Sequence, residues 1–144
     1  MKTLLIVASL VLSTSTALAC SCAMMTAESI IKNSDIVFLG GAESDSKLTG
    51  VVNPEFPSQK ENKTTFYITK AYKNLSSASI DLYGSKPDGS NCGIEFKNDN
   101  GVYIVSAYLD PSSKKYFTSV CDVGHLGDES MLQMLLDLEK ISRK

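Results

Sequence analysis

The sequence predicts a small, mainly β domain: an antiparallel barrel or sandwich flanked by two helices. Short segments rich in Val, Ile, Phe, Leu and Tyr recur between clusters of Gly, Pro, Asp and Ser, the pattern of short strands and their turns. Only two stretches, one early and one at the end, carry helical spacing. No internal repeat or low-complexity tract interrupts the pattern, and 144 residues suffice for one domain with a modest core.

Residues 1–19 read as a secretory signal peptide. Lys2 supplies a basic start, residues 4–12 an apolar run, and Ala17-Leu18-Ala19 a small-residue cleavage site. The run is too short to span a bilayer, and no second hydrophobic segment follows. The expected mature domain is residues 20–144, exported, with Cys20-Ser21-Cys22 as its new amino terminus.

Residues 26–33 read as a short helix, with Thr26 as N-cap and Glu28 in the first turn. Ile36, Val37, Phe38 and Leu39 then form a strand over 35–42 that bends at Gly40-Gly41. Residues 43–62 turn polar and read as a long loop or extended hairpin tip, a length often tied to function. Imperfect alternation marks a strand over 63–73. A cleaner strand over 79–83 sets Ile80 and Leu82 on one face and Asp81 and Tyr83 on the other. Residues 84–91 are a turn region. Strands are expected over 102–109 and 116–121, joined by the Asp110-Pro111-Ser112-Ser113 turn. Residues 128–141 form the longer helix, with Asp128 as cap and Met131, Leu135, Leu138 and Ile141 on one face.

The chain carries a formal net charge of −2 and no basic run, which excludes nucleic acid as the expected partner. Four cysteines, Cys20, Cys22, Cys92 and Cys121, point to two disulfides in an exported protein. Four cysteines allow three pairings. A Cys20–Cys22 bridge would close a tiny strained ring, so the long-range pairings are preferred, each worth about 4 kcal/mol in the chain-entropy treatment. Such bridges would pin the amino terminus to the domain. A first-residue cysteine also has its α-amino group beside its own carbonyl, a pair able to chelate a metal through a five-membered ring.

Other polar residues carry less. His125, the only histidine, reads as a surface or capping residue with no triad around it. Asp99, Asp110 and Asp122 suit turns more than acid–base chemistry, and no catalytic constellation is visible, so no enzymatic activity is expected. Tyr67, Tyr72 and Tyr108 read as exposed aromatics, but the acidic balance argues against a base-stacking platform. Asn62-Lys63-Thr64 and Asn74-Leu75-Ser76 fit the N-glycosylation pattern.

The Cys20-Ser21-Cys22 terminus, Asn33-Ser34-Asp35-Ile36-Val37, and Ile68-Thr69-Lys70-Ala71-Tyr72-Lys73 together resemble the inhibitory domain of the tissue inhibitors of metalloproteinases. The likeness continues through Asn91-Cys92-Gly93-Ile94, Tyr103-Ile104-Val105-Ser106-Ala107 and Thr118-Ser119-Val120-Cys121-Asp122, in order over nearly all of residues 20–144. The resemblance implies a netrin-like module: a five-stranded OB-type barrel with a short N-terminal helix and a C-terminal helix. It implies the bridges Cys20–Cys92 and Cys22–Cys121. It further implies a secreted, monomeric inhibitor with no cofactor of its own. In that mechanism the amino and carbonyl groups of Cys20 chelate the catalytic zinc of a target metalloprotease, displacing the water in the open coordination position. Ser21 then enters the mouth of the specificity pocket. Cys22 and Ala23 continue the wedge, and Ser90 and Asn91, tethered through Cys92, occupy the other side of the cleft.

The chain departs from the family at three places. Lys32 stands where the family has a cysteine, Met24 stands where it has a proline after C-x-C, and the residues after 128 form one helix in place of a cysteine-rich second domain. The alternative expectation is a netrin-like protein-binding module without inhibitory activity, docking through residues 43–62. It is either secreted or, if Cys20 is lipidated, anchored to a membrane.

Overall fold

The computed structural model describes residues 20–23, 25–52, 59–88 and 91–143. The expected signal peptide, Met24 and Ser90 lie outside the described residues.

Helix α1 (Ala27–Asn33) is short and locally specified. Thr26 accepts from the Ser29 N–H at 3.2 Å, and the Ser29 hydroxyl accepts from the Thr26 N–H at 3.1 Å, a reciprocal capping box. Its C-terminal end is held from outside by Lys73, whose Nζ donates to the carbonyls of Ile31 and Ser34 at 2.6 and 2.5 Å. Lys32, at the family's cysteine position, is exposed.

The strands are β1 (Ile36–Ala42), β2 (Lys47–Val52), β3 (Lys60–Lys73), β4 (Ser79–Ser85), β5 (Tyr103–Leu109), β6 (Tyr116–Phe117) and β7 (Val123–His125). Five close a barrel in the order β1-β3-β4-β6-β5 and back to β1, while β2 pairs with β3 and β7 with β5. The fold is therefore the expected mainly β, OB-type barrel with one helix at each end. One pairing is not antiparallel. β4 meets β6 in parallel through Leu82 with Tyr116 and Tyr83 with Phe117, as the order of a Greek-key barrel requires for closure.

β1 explains its own unbroken apolar run by being buried on both faces. One face sends Ile36 and Phe38 into the barrel with Phe66, Leu82, Phe96 and Val105. The other sends Val37, beside Ile104 of β5, against Ala27 and Ile30 of α1 and Met134 and Leu138 of α2 (Glu129–Ser142). β1 continues through Gly40 and Gly41 with a register shift between Leu39 and Gly40. A Cβ at Gly40 would strike the Tyr67 carbonyl, so the bend expected there is a bulge inside the strand. Phe66 is the hub of the interior, with Phe38, Phe96 and Tyr103 set edge-on around it at centroid distances of 5.9, 4.7 and 6.3 Å.

Residues 43–62, expected as a long loop or an extended hairpin tip, take the second form, since β2 pairs with the start of β3. One expected strand is corrected. The strand expected over 116–121 stops at Phe117 and gives way to a 3-10 turn, Val120–Asp122, capped by the Ser119 hydroxyl. Of the two sequon asparagines, Asn62 is buried at 4% exposure and its Nδ2 donates to the Ile94 carbonyl at 2.8 Å. Asn74 is exposed.

Tyr72 also differs from expectation. It packs with the helix-side cluster, and its hydroxyl donates to Glu139 of α2 at 2.7 Å. Lys70 donates to the same carboxylate at 2.7 and 2.6 Å. Those hydrogen bonds, Lys70 first and Tyr72 second, hold Glu139 below its ordinary pKa. A depressed carboxylate stabilises the fold above its unfolded value of about 4.5 and loses that contribution as pH falls through the folded value. Glu139→Gln is therefore expected to melt below the native protein at neutral pH, with the gap closing in acid. A gap that persists undiminished to about pH 3 would contradict charge-dependent docking of α2.

Candidate functional site

Of the residues that the sequence marks as functional, Cys20, Ser21, Cys22, Ala23 and Asn91 lie around two disulfides. Residues 20–23 form no helix or strand, and Ser21, Cys22 and Ala23 are exposed while Cys20 is half-buried. Two disulfides hold this segment. Cys20 bonds Cys92 with a Cα–Cα distance of 5.4 Å, and Cys22 bonds Cys121 at 5.2 Å, across 72 and 99 residues of sequence. These are the bridges that the resemblance implies. Cys20 and Cys22 bond different partners, so all four cysteine sulfurs are held in long-range bridges. The sulfur of Cys20 is committed to its bridge with Cys92.

Each anchor is fixed in turn. The Val120 N–H donates to the Cys92 carbonyl at 3.2 Å and ties the two anchoring segments to each other. On the Cys92 side, Asn91 accepts from the Gly93 N–H at 2.9 Å and donates to the Lys86 carbonyl at 3.0 Å. A Cβ at Gly93 would lie 2.7 Å from Asn91 Oδ1 and 2.8 Å from the Lys86 backbone, so the close turn after Cys92 requires glycine. The side chain of Asn91 is thus spent on building this turn. On the Cys121 side, Ser119 accepts from the Cys121 N–H at 3.3 Å and donates to Asp122 at 2.5 Å.

Beside the segment lies a depression of about 250 Å³, lined among others by Ala23, Met25, Ile30, Tyr108, Cys121 and Asp122. The Tyr108 hydroxyl donates to Asp122 at 3.1 Å. Burial, the largest influence, raises the Tyr108 pKa, and the Asp122 charge adds to it. Tyr108, expected as a free aromatic, is 41% exposed and contributes one wall. Sequence reasoning passed over Val120, which is 44% exposed between the two bridges and adds an apolar contact to the edge. Its only signal was its place beside Cys121.

The other singled-out residues lie elsewhere. His125 is exposed, accepts from the Gly127 N–H at 3.0 Å and stacks edge-on with Tyr103 at 5.1 Å. Asp99 and Asp110 bind the backbone of their own turns. Among the described residues, no three His, Cys, Asp or Glu side chains gather as metal ligands. Two disulfides are consistent with an extracellular environment. No protein-family model matches this chain, and neither does any curated protein.

Proposed function

We propose that the protein is a secreted inhibitor of zinc metalloproteases, related to the tissue inhibitors of metalloproteinases, with Cys20 as its zinc-chelating terminus. One observation carries the reading: the exposed Ser21–Cys22–Ala23 edge is clamped by disulfides at Cys20 and Cys22. An edge already ordered in the free protein loses little entropy on docking, so contact energy is retained as affinity. Removal of residues 1–19 frees the amine. Amine and carbonyl of Cys20 then occupy the zinc, Ser21 enters the adjoining pocket with a small side chain, and Ala23 with Val120 lies along the cleft. Asn91, next to the Cys92 anchor, then meets the opposite side of the cleft, the role also proposed for Ser90, which lies outside the described residues.

Chelation needs the unprotonated amine, whose reference pKa is about 7.7–8.0. Inhibition is therefore expected to weaken about tenfold per pH unit below neutrality, as the competent fraction falls. The check is the inhibition constant between pH values of about 6 and 8, compared with a non-titrating chelator on the same protease to cancel the enzyme's own titration. A pH-independent ratio would remove the amine from the mechanism.

The β2–β3 hairpin favours the second reading. Leu48, Val51 and Val52 are about half exposed, 52%, 49% and 45%, a surface suited to a protein partner without any zinc. A binding module of that kind would be indifferent to changes at Cys20.

A further inference from the structure

A second cavity of the described structure lies away from Cys20. It is a cleft of about 910 Å³, walled by β2 on one side and the β5–β6 turn on the other, with the ends of β3 and β4 as its floor. Its volume is in the range of small-ligand sites. In OB-type barrels this face, between the loops that follow the first and fourth barrel strands, is where oligonucleotides and oligosaccharides lie. Fold position alone does not choose a ligand. The lining does.

One wall is apolar: Val51 and Val52 of β2 line it and are 49% and 45% exposed. An aromatic face comes from Phe117, whose ring sits 5.9 Å from that of Tyr83. The remaining wall is polar but nearly neutral. Lys115 donates to both oxygens of Glu61 at 2.9 and 3.1 Å and sits 4.6 Å from the centre of the Tyr83 ring. Thr49 donates to the same carboxylate at 2.8 Å, so the pair is held in place and its charges cancel. Asp110 accepts from the N–H and hydroxyl groups of Ser112 and Ser113. Those hydrogens are committed, which leaves the two serine oxygens as acceptors beside the Gln59 amide.

Net charge in the cleft is slightly negative, which disfavours nucleic acid and sulfated glycans. On the floor no strand edge is open to an added peptide, and the outer edge of β2 is the one that could take it. Gly84 and Ser85 pair with Asn62 and Glu61, and the Ser85 carbonyl accepts from Ile94 at 3.1 Å. The groove therefore has an aliphatic and aromatic side facing serine oxygens, the Gln59 amide and the hydrogen-bonded Asp110 carboxylate. A pyranose has that same division, with apolar C–H faces and a hydroxyl rim.

We propose that this cleft binds a neutral oligosaccharide, with Phe117 and Val51 against the sugar faces and Ser112, Ser113 and Gln59 on the hydroxyls. The site is separate from the zinc-chelating reading, since none of residues 20–23 lines it. The test is an amide NMR titration of the disulfide-bonded protein with cellohexaose, maltohexaose and the hexamer of N-acetylglucosamine. At least one is expected to shift Val51, Val52, Ser112, Ser113 and Phe117 together. Phe117→Leu, which keeps apolar bulk, and Val51→Arg, at an exposed site that leaves the fold untouched, should each weaken that binding at least about tenfold, roughly 1.4 kcal/mol. A one-residue extension before Cys20 should leave it unchanged. No shifts with any of the three sugars would overturn the proposal. So would shifts confined to another surface, wild-type binding by both variants, or preferential occupancy of the cleft by oligothymidylate, a heparin hexasaccharide or an extended peptide.

Discussion

One alanine added ahead of Cys20 is expected to abolish metalloprotease inhibition while the fold stays intact. The extension turns a basic amine into an amide nitrogen, which has no free lone pair for zinc, and it places a peptide where the metal must sit. The loss should be at least about a thousandfold in the inhibition constant, roughly 4 kcal/mol. The barrel should not notice. Residues 20–23 belong to no strand, and their attachment through Cys92 and Cys121 is unchanged by what precedes them. Melting temperatures of the two forms should agree within about 2 °C. Intact mass spectrometry establishes that the comparison protein starts at an unmodified Cys20. Equal potency of the two forms would end the chelation mechanism and leave a partner docking elsewhere, with the exposed β2 as first candidate.

Replacing Cys22 and Cys121 together by serine is expected to give the largest loss of stability, about 4–5 kcal/mol. The bridge spans 99 residues, nearly the whole described domain, so it restricts the unfolded chain strongly. Domains of this kind have only about 5–15 kcal/mol in total, so most of the margin would go. The Cys20–Cys92 bridge closes 72 residues and its removal should cost slightly less. The two loops overlap, so the losses should not add. Urea unfolding would show both the lowered midpoint and a steeper denaturant dependence, because the unbridged chain exposes more surface when it unfolds. Inhibition should fall as well, since the Ser21–Ala23 edge has no strand pairing to replace the lost tether. A change below about 1 kcal/mol would mean the unfolded chain is already compact enough that the bridge adds little restriction.

Local order was written in the sequence. Thr26 and Ser29 cap α1 through contacts three residues apart, and the Met131–Leu138 spacing determines which face of α2 is buried. Ile80 and Leu82 point inward, and Asp81 and Tyr83 outward, because side chains alternate along any strand. The number and placement of the cysteines were also legible. Each of these depends on neighbours within a few residues.

Only the tertiary structure decided the rest, since it depends on groups distant in the chain. Arithmetic left the disulfide pairing open, and the fold brings Cys92 and Cys121 together through the 3.2 Å bond from Val120 to Cys92. Phe96 lies in no strand, yet it fills the barrel because Ser46 accepts its N–H at 2.8 Å and returns a backbone bond at 3.0 Å. The sequon pattern at Asn62 says nothing of its burial, which Ile94 sets from 32 residues away, and Tyr72, read as exposed, meets Glu139 from a helix 67 residues later. β6 pairs in parallel with β4 over only two residues, too short for any pattern to announce, and that pairing closes the barrel. The cleft beside it has the same origin. Val51, Glu61, Ser112 and Phe117 are ordinary surface residues in sequence, and barrel closure alone gives them a common space.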